Sequence, residues 1–112
     1  MAKVEIIHSL FEEIKKKFKE ESHKIVDLME SLEANPTKGK TLGCVSGLVI
    51  KEVRYNNFRF YFITDSYKLK CLDAQSLTSL LIKFVRMSDK KDQQKIIEEI
   101  KQILRTLGGE GF

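Results

Sequence analysis

The stretch from Arg54 to Phe62, RYNNFRFYF, sets two guanidiniums and five aromatic rings around an Asn-Asn pair. Asparagine tolerates positive φ, so Asn56-Asn57 suits a two-residue loop between two strands. With that loop, Tyr55 faces Phe58, Arg54 faces Arg59, Val53 faces Phe60 and Glu52 faces Tyr61. Side-chain alternation then sends Val49, Val53, Phe58, Phe60 and Phe62 to one face. Glu52, Arg54, Arg59 and Tyr61 go to the other. Lys51 falls among the apolar set, so either it snorkels out at an edge or a bulge shifts it. Two arginines directly opposite each other repel unless an anion or a carboxylate lies between them. The chemistry open to such a face is phosphate binding by guanidinium forks, with a tyrosine that stacks on or hydrogen-bonds to a nucleotide. The plainer reading is a solvated face on which Glu52 and water absorb the charge.

The charge balance favours a polyanion. The 112-residue chain carries 20 Lys and Arg against 16 acids, a net charge of +4. That bias is mild, but it is concentrated. Between Gly47 and Lys91 lie Lys51, Arg54, Arg59, Lys68, Lys70, Lys83, Arg86, Lys90 and Lys91, opposed only by Glu52, Asp65, Asp73 and Asp89. Most other acids alternate with lysines in the flanking helical segments, as on a solvated face. Such a basic middle points to a polyanion partner.

Other classes are set aside on composition. No apolar run approaches the roughly 20 residues needed to cross a bilayer, and the charged N-terminus lacks a signal-peptide core. Cys44 and Cys71 fit no metal or redox spacing, and His8 and His23 lie too far off to complete a site. The expectation is a cytoplasmic protein with free thiols, no metal, no cofactor and no membrane partner.

The elements that must hold the hairpin follow from periodicity. Lys3 to Ile7 reads as an opening strand. Leu10, Phe11, Ile14 and Phe18 recur at helical spacing, and Ile25, Leu28, Met29 and Leu32 do so again. Pro36 and Gly39 then mark a loop. From Gly47 the stretches GLVIKEVRY, NFRFYFIT, YKLKCL and SLLIKFVR read as four strands of an antiparallel meander, broken at Asn56-Asn57, TDSY and DAQSLT. Ser88 suits an N-cap with Asp89 in the first turn, ahead of a helix marked by Ile96, Ile100, Ile103 and Leu107. Gly108 suits its end, and GGEGF reads as a frayed tail. The expected fold is one α+β domain over residues 1–112, ordered β-α-α-β-β-β-β-α. Its antiparallel sheet is expected to pack against all the helices on one face.

The order strand, two helices, NPTKGKTLG, SGL, basic strand, turn, FRFYF, last strand and basic helix resembles RelE-type toxins of toxin–antitoxin systems. FRFYF is similar to their YRxxY stretch at Arg59 and Tyr61, and LLIKFVRMSDKKDQQKIIEEI is similar to the ending of HigB-type members. The resemblance spans roughly Lys3 to Leu107. It implies a RelE-like fold and a ribosome-dependent mRNA endonuclease that works without metal. The implied partners are mRNA on the ribosome and a cognate antitoxin protein.

By that resemblance Arg59 corresponds to the arginine that holds the scissile phosphate, and Arg54 is its basic-strand neighbour. Arg86, Lys90 and Lys91 fall where the family places further basic and proton-transfer residues, and Lys51 and Lys83 extend the RNA-binding charge. In the implied reaction a 2′-hydroxyl attacks its own 3′-phosphate, and arginines aimed at the equatorial oxygens stabilise the growing charge. Glu52 is the candidate base, and Tyr61 or Lys90 the candidate acid. Some relatives carry catalytic lysines on the basic strand where this chain has Ile50 and Glu52. The alternative is a non-catalytic binding module on the same scaffold, either a ParE-type topoisomerase inhibitor or a decayed toxin.

Overall fold

A computed structural model of the chain describes residues 2–71 and 79–112. Among these, strand β1 (Lys3–Ile6) leads into helices α1 (His8–Phe18) and α2 (Ser22–Glu30). Three strands follow: β2 (Lys40–Val45), β3 (Leu48–Tyr55) and β4 (Phe58–Asp65). A short helix α3 (Ser66–Cys71), strand β5 (Leu81–Asp89) and helix α4 (Gln93–Leu107) complete the order.

The hairpin register is the one the Asn-Asn loop requires. Tyr55 pairs with Phe58, Arg54 with Arg59, Val53 with Phe60 and Glu52 with Tyr61, and Asn56 takes a φ of 54°.

The sheet, however, is mixed. Its order is β1-β5-β4-β3-β2, and β1 runs parallel to β5, with Lys3 beside Leu81 and Ile6 beside Phe84. The helices also occupy both faces. Val53, Phe60, Phe62, Ile82 and Phe84 share a buried cluster with Leu10 and Ile14 of α1 and Ile25 and Met29 of α2. Ile50, Tyr61, Ile63 and Val85 form a second cluster with Ile97, Ile100 and Leu104 of α4. Because adjacent residues of β4 point to opposite faces, α4 covers the face opposite α1 and α2. The expectation of an antiparallel sheet with all helices on one face is therefore corrected. The reason is legible in β4 itself: Phe60, Tyr61, Phe62 and Ile63 are all buried, an unbroken apolar run that suits a strand covered on both sides.

Three local readings also change. KTLGCV, to which the sequence assigns no element beyond the loop at Lys40, is edge strand β2, joined to β3 by Ser46-Gly47 with φ of 53° and 80°. Positive φ at both loop residues is what a type I′ hairpin needs. YKLKCL has strand-like alternation, yet Ser66–Cys71 is helical, because the Asp65 carboxylate accepts the Lys68 backbone N–H at 2.9 Å and caps the first turn. Ser88 and Asp89 end β5 rather than open α4, whose N-cap is Asp92. The expected turn DAQSLT lies outside the described residues. The tail read as frayed closes in a 3-10 turn, Gly108–Gly111, and Phe112 packs against the α4-side core.

Candidate functional site

Two cross-strand rows build the site on the α4 face. Arg54, Arg59 and Ser88 lie side by side on β3, β4 and β5, and Glu52, Tyr61 and Arg86 form the adjacent row. Arg86 reaches this face because β5 carries a bulge. Tyr61 pairs with Arg86 while Phe62 pairs with Phe84, so Val85 is an extra residue. A bulge of this kind re-aims the residue beside it.

The repulsion between the facing arginines is met from within. Arg54 Nε and Nη2 both donate to Glu52 Oε1 at 3.4 Å. Arg59 Nε stands 4.0 Å from Glu52 Oε2, and each of these two atoms is buried without a hydrogen-bond partner among the described residues. Arg59 Nη1 donates to the Asn57 carbonyl at 3.4 Å. Glu52 is 2% exposed and Arg59 6%, whereas the Arg54 side chain is 53% exposed. One carboxylate thus sits between two guanidiniums, one enclosed and one open to solvent.

Tyr61 and Arg86 are also engaged. The Tyr61 hydroxyl lies 2.7 Å from Ser88 Oγ, and Ser88 in turn donates to the Asp89 carbonyl at 2.9 Å. Burial under α4 pushes the Tyr61 hydroxyl above its ordinary pKa, partly offset by the Ser88 hydrogen bond, with the Glu52 charge reinforcing the rise. Arg86 Nε donates to Glu99 Oε1 of α4 at 3.1 Å, and Nη1 donates to the Val85 carbonyl at 2.8 Å. Its guanidinium lies over the Phe112 ring, 5.1 Å from the centroid.

The sequence-expected residues divide into three sets. Glu52, Arg54, Arg59, Tyr61 and Arg86 are brought together by strand register. Lys90 and Lys91 are exposed in the turn after Asp89, which pairs with Phe58, so they stand at the hairpin-loop end of the same sheet. Lys51 and Lys83 are elsewhere. Lys51 lies on the α1/α2 side, 4% exposed, with Nζ donating to the Thr37 carbonyl at 2.9 Å. Burial lowers its pKa, so the snorkelling expected as one alternative is corrected: the ammonium is held inside by a carbonyl. Lys83 pairs with Ile63, toward the far end of β4, and its Nζ donates to the carbonyls of Gly109 and Phe112 at 3.4 Å.

Ser88, Glu99 and Phe112 belong to the site and were not singled out for it from the sequence. Ser88 carried a cap signal, Glu99 reads as one more acid on a solvated helix face, and Phe112 sits in a glycine-rich tail. Only the strand pairing and the seating of α4 reveal their partners. Chemically, the cluster offers an anion an open guanidinium at Arg54, backed by a carboxylate-linked Arg59 and an enclosed phenol. Against protein-family models, curated proteins and solved structures, the chain gives no match.

Proposed function

We propose that the protein is a metal-independent endoribonuclease of the RelE-type toxin class, which cuts mRNA on the ribosome and is held in check by an antitoxin in the cytoplasm. The observation that carries this reading is the gathering of Arg54, Arg59, Tyr61 and Arg86 into adjacent positions of one face, though 32 residues separate the first from the last. Those residue types at that spacing suit a scissile phosphate: guanidiniums for its equatorial oxygens and a phenol for the leaving 5′-oxygen. The 2′-oxygen bonds to phosphorus as the P–O5′ bond breaks. Its proton passes to a base, for which Glu52 is the candidate, and Tyr61 or Lys90 protonates the 5′-oxygen. A 2′,3′-cyclic phosphate and a 5′-hydroxyl result.

One observation favours a second reading, a non-catalytic RNA- or partner-binding module. Tyr61 is 0% exposed and bonded to Ser88, Glu52 is held by two arginines, and Arg86 is held by Glu99, so these three groups face protein partners. Incubation of the purified protein with programmed ribosomes, with mRNA ends mapped and binding measured in parallel, separates the two. Cleavage that is lost in Arg59→Lys supports the nuclease. Binding without new mRNA ends supports the module, and neither binding nor cleavage removes both readings.

A further inference from the structure

A second basic feature adjoins the arginine rows and shares Arg54 and Glu52 with them, while its Lys38 and Lys40 have no part in the proposed cleavage chemistry. Strand β2 pairs with β3 only as far as Lys40 opposite Glu52. From Val53 to Tyr55, β3 therefore has no strand on its outer side among the described residues, and that edge presents unpaired backbone groups. There a groove of about 410 Å³ opens between α2 and the start of β2, lined by Leu28, Lys38, Gly39, Lys40, Glu52, Val53 and Arg54.

The wall of this groove is firmly placed. Buried Lys51 holds the Thr37 carbonyl at 2.9 Å. Gly39, with φ of 106°, packs so closely that a Cβ there would meet the Glu52 carbonyl oxygen at 3.0 Å and the Phe62 ring at 3.2 Å. Lys38 and Lys40 flank this anchored glycine with exposed side chains, and they form no salt bridge among the described residues. Among the described lining residues the acid is Glu52, and its carboxylate is already directed to Arg54 and Arg59. The rim is thus cationic, the floor formed by Leu28 and Val53 is aliphatic, and the volume lies in the range of small-ligand sites.

We propose that this groove is a nucleotide subsite for single-stranded RNA. It takes one nucleotide flanking the phosphate held at the arginine rows, with its own phosphate on Lys38, Lys40 and Arg54 and its base or ribose over Leu28 and Val53. The free β3 edge supplies hydrogen-bonding groups to the base. Arg54 is the link, since it lines the groove and also bonds Glu52. The subsite rests on the RNA reading above, and the test tells the two apart.

Titrate the full chain with tetrauridylate at low salt and follow backbone amides by NMR. Amides of Lys38, Gly39, Lys40 and Val53 should shift together with those near Arg86. The variant Lys38→Glu/Lys40→Glu alters two exposed positions. Its spectrum should remain that of the folded chain, with the groove shifts lost. Its slope of log K against log salt should be shallower by about 0.7 for the phosphate contact removed. Shifts confined to the Arg59 and Arg86 region, with parental affinity in the double variant, overturn the subsite and leave the RNA reading in place. Absence of RNA-induced shifts anywhere overturns both. Equal groove shifts from an oligoglutamate peptide of matched charge show an acidic-peptide surface and also overturn the subsite.

Discussion

Arg59 is an enclosed charge in the hairpin, and the proposed function rests on the same side chain. As a solvated strand residue, its truncation would cost no more than about 0.5 kcal/mol. It is instead enclosed beside an equally enclosed Glu52, and removing one partner of a buried pair costs about 3–5 kcal/mol. Glu52 keeps its bond to Arg54, which is half exposed and therefore weak. Arg59→Ala should accordingly lose about 2–3 kcal/mol in a urea titration, below the fully buried range. Adding Glu52→Gln should recover part of that loss, because no unpaired carboxylate is then left in the interior. A double variant no more stable than Arg59→Ala would show that the 4.0 Å contact carries no coupling. Arg59→Lys keeps the charge without the two-pronged fork, so it should stay nearer the parent in stability while cleavage falls about a hundredfold.

At the same scale, Tyr61 and Lys51 shape the alkaline limb of stability. Burial raises the Tyr61 pKa above 10.0. Above pH 10 the unfolded chain therefore loses a proton that the folded chain keeps, and stability falls as pH rises. Burial lowers the Lys51 pKa below 10.5. Between its lowered value and 10.5 the unfolded chain holds the extra proton, and stability rises with pH. Tyr61→Phe should flatten the fall, and Lys51→Met should flatten the rise. Urea midpoints measured from pH 8 to 11 check both signs. Unchanged limbs in both variants would mean that neither group is sequestered from solvent.

At the scale of elements, α4 decides what the arginine face can do. Ile97, Ile100 and Leu104 seat it over Tyr61, and Glu99 ties it to Arg86. Ile100→Ala should cost about 2–5 kcal/mol, as for a buried aliphatic truncated in a core. If α4 is the cover, the same change should bring the Tyr61 phenol back toward 10.0 in a UV titration. Phe60→Ala, on the opposite face, should cost about 3–5 kcal/mol and leave that phenol where it is. The hairpin, its register and the co-facial set Glu52, Arg54, Arg59 and Tyr61 were legible in the sequence, because a two-residue loop fixes pairing and alternation fixes faces. What covers each face was not. The signal was present, since Ile50 and Ile63 share the side of Tyr61, but it competes with the charges of Glu52, Arg54 and Arg59 on that same side. Strand β2 was hidden by Gly43 and its flanking lysines, and α3 by an accidental period of two in YKLKCL. The parallel placement of β1 has no local signature at all, because it depends on contacts with β5 nearly 80 residues on.

On the scale of the whole molecule, the two populations of charge should answer differently to salt. The clamp of Glu52 and Arg59 is enclosed, and salt screens such pairs poorly. Lys38, Lys40, Lys90 and Lys91 are exposed and form no salt bridge among the described residues. They flank the arginine rows from the β2 edge and from the turn after β5, so under the proposed function an RNA strand crossing the face would meet them on both sides. Raising potassium chloride from about 0.05 to 0.3 M should therefore leave the thermal midpoint nearly fixed while RNA affinity falls steeply, with a slope of about −0.7 per phosphate contacted. Lys90→Gln/Lys91→Gln should make that slope shallower by about one contact's worth at each lysine that holds a phosphate. Arg86→Gln should do so only if RNA displaces Glu99 from its guanidinium. Fluorescence anisotropy with a labelled single-stranded RNA, read against thermal melts of the same samples, measures both quantities. Salt-independent binding, or a melting midpoint that falls in step with affinity, would mean that the exposed cations do not hold the RNA.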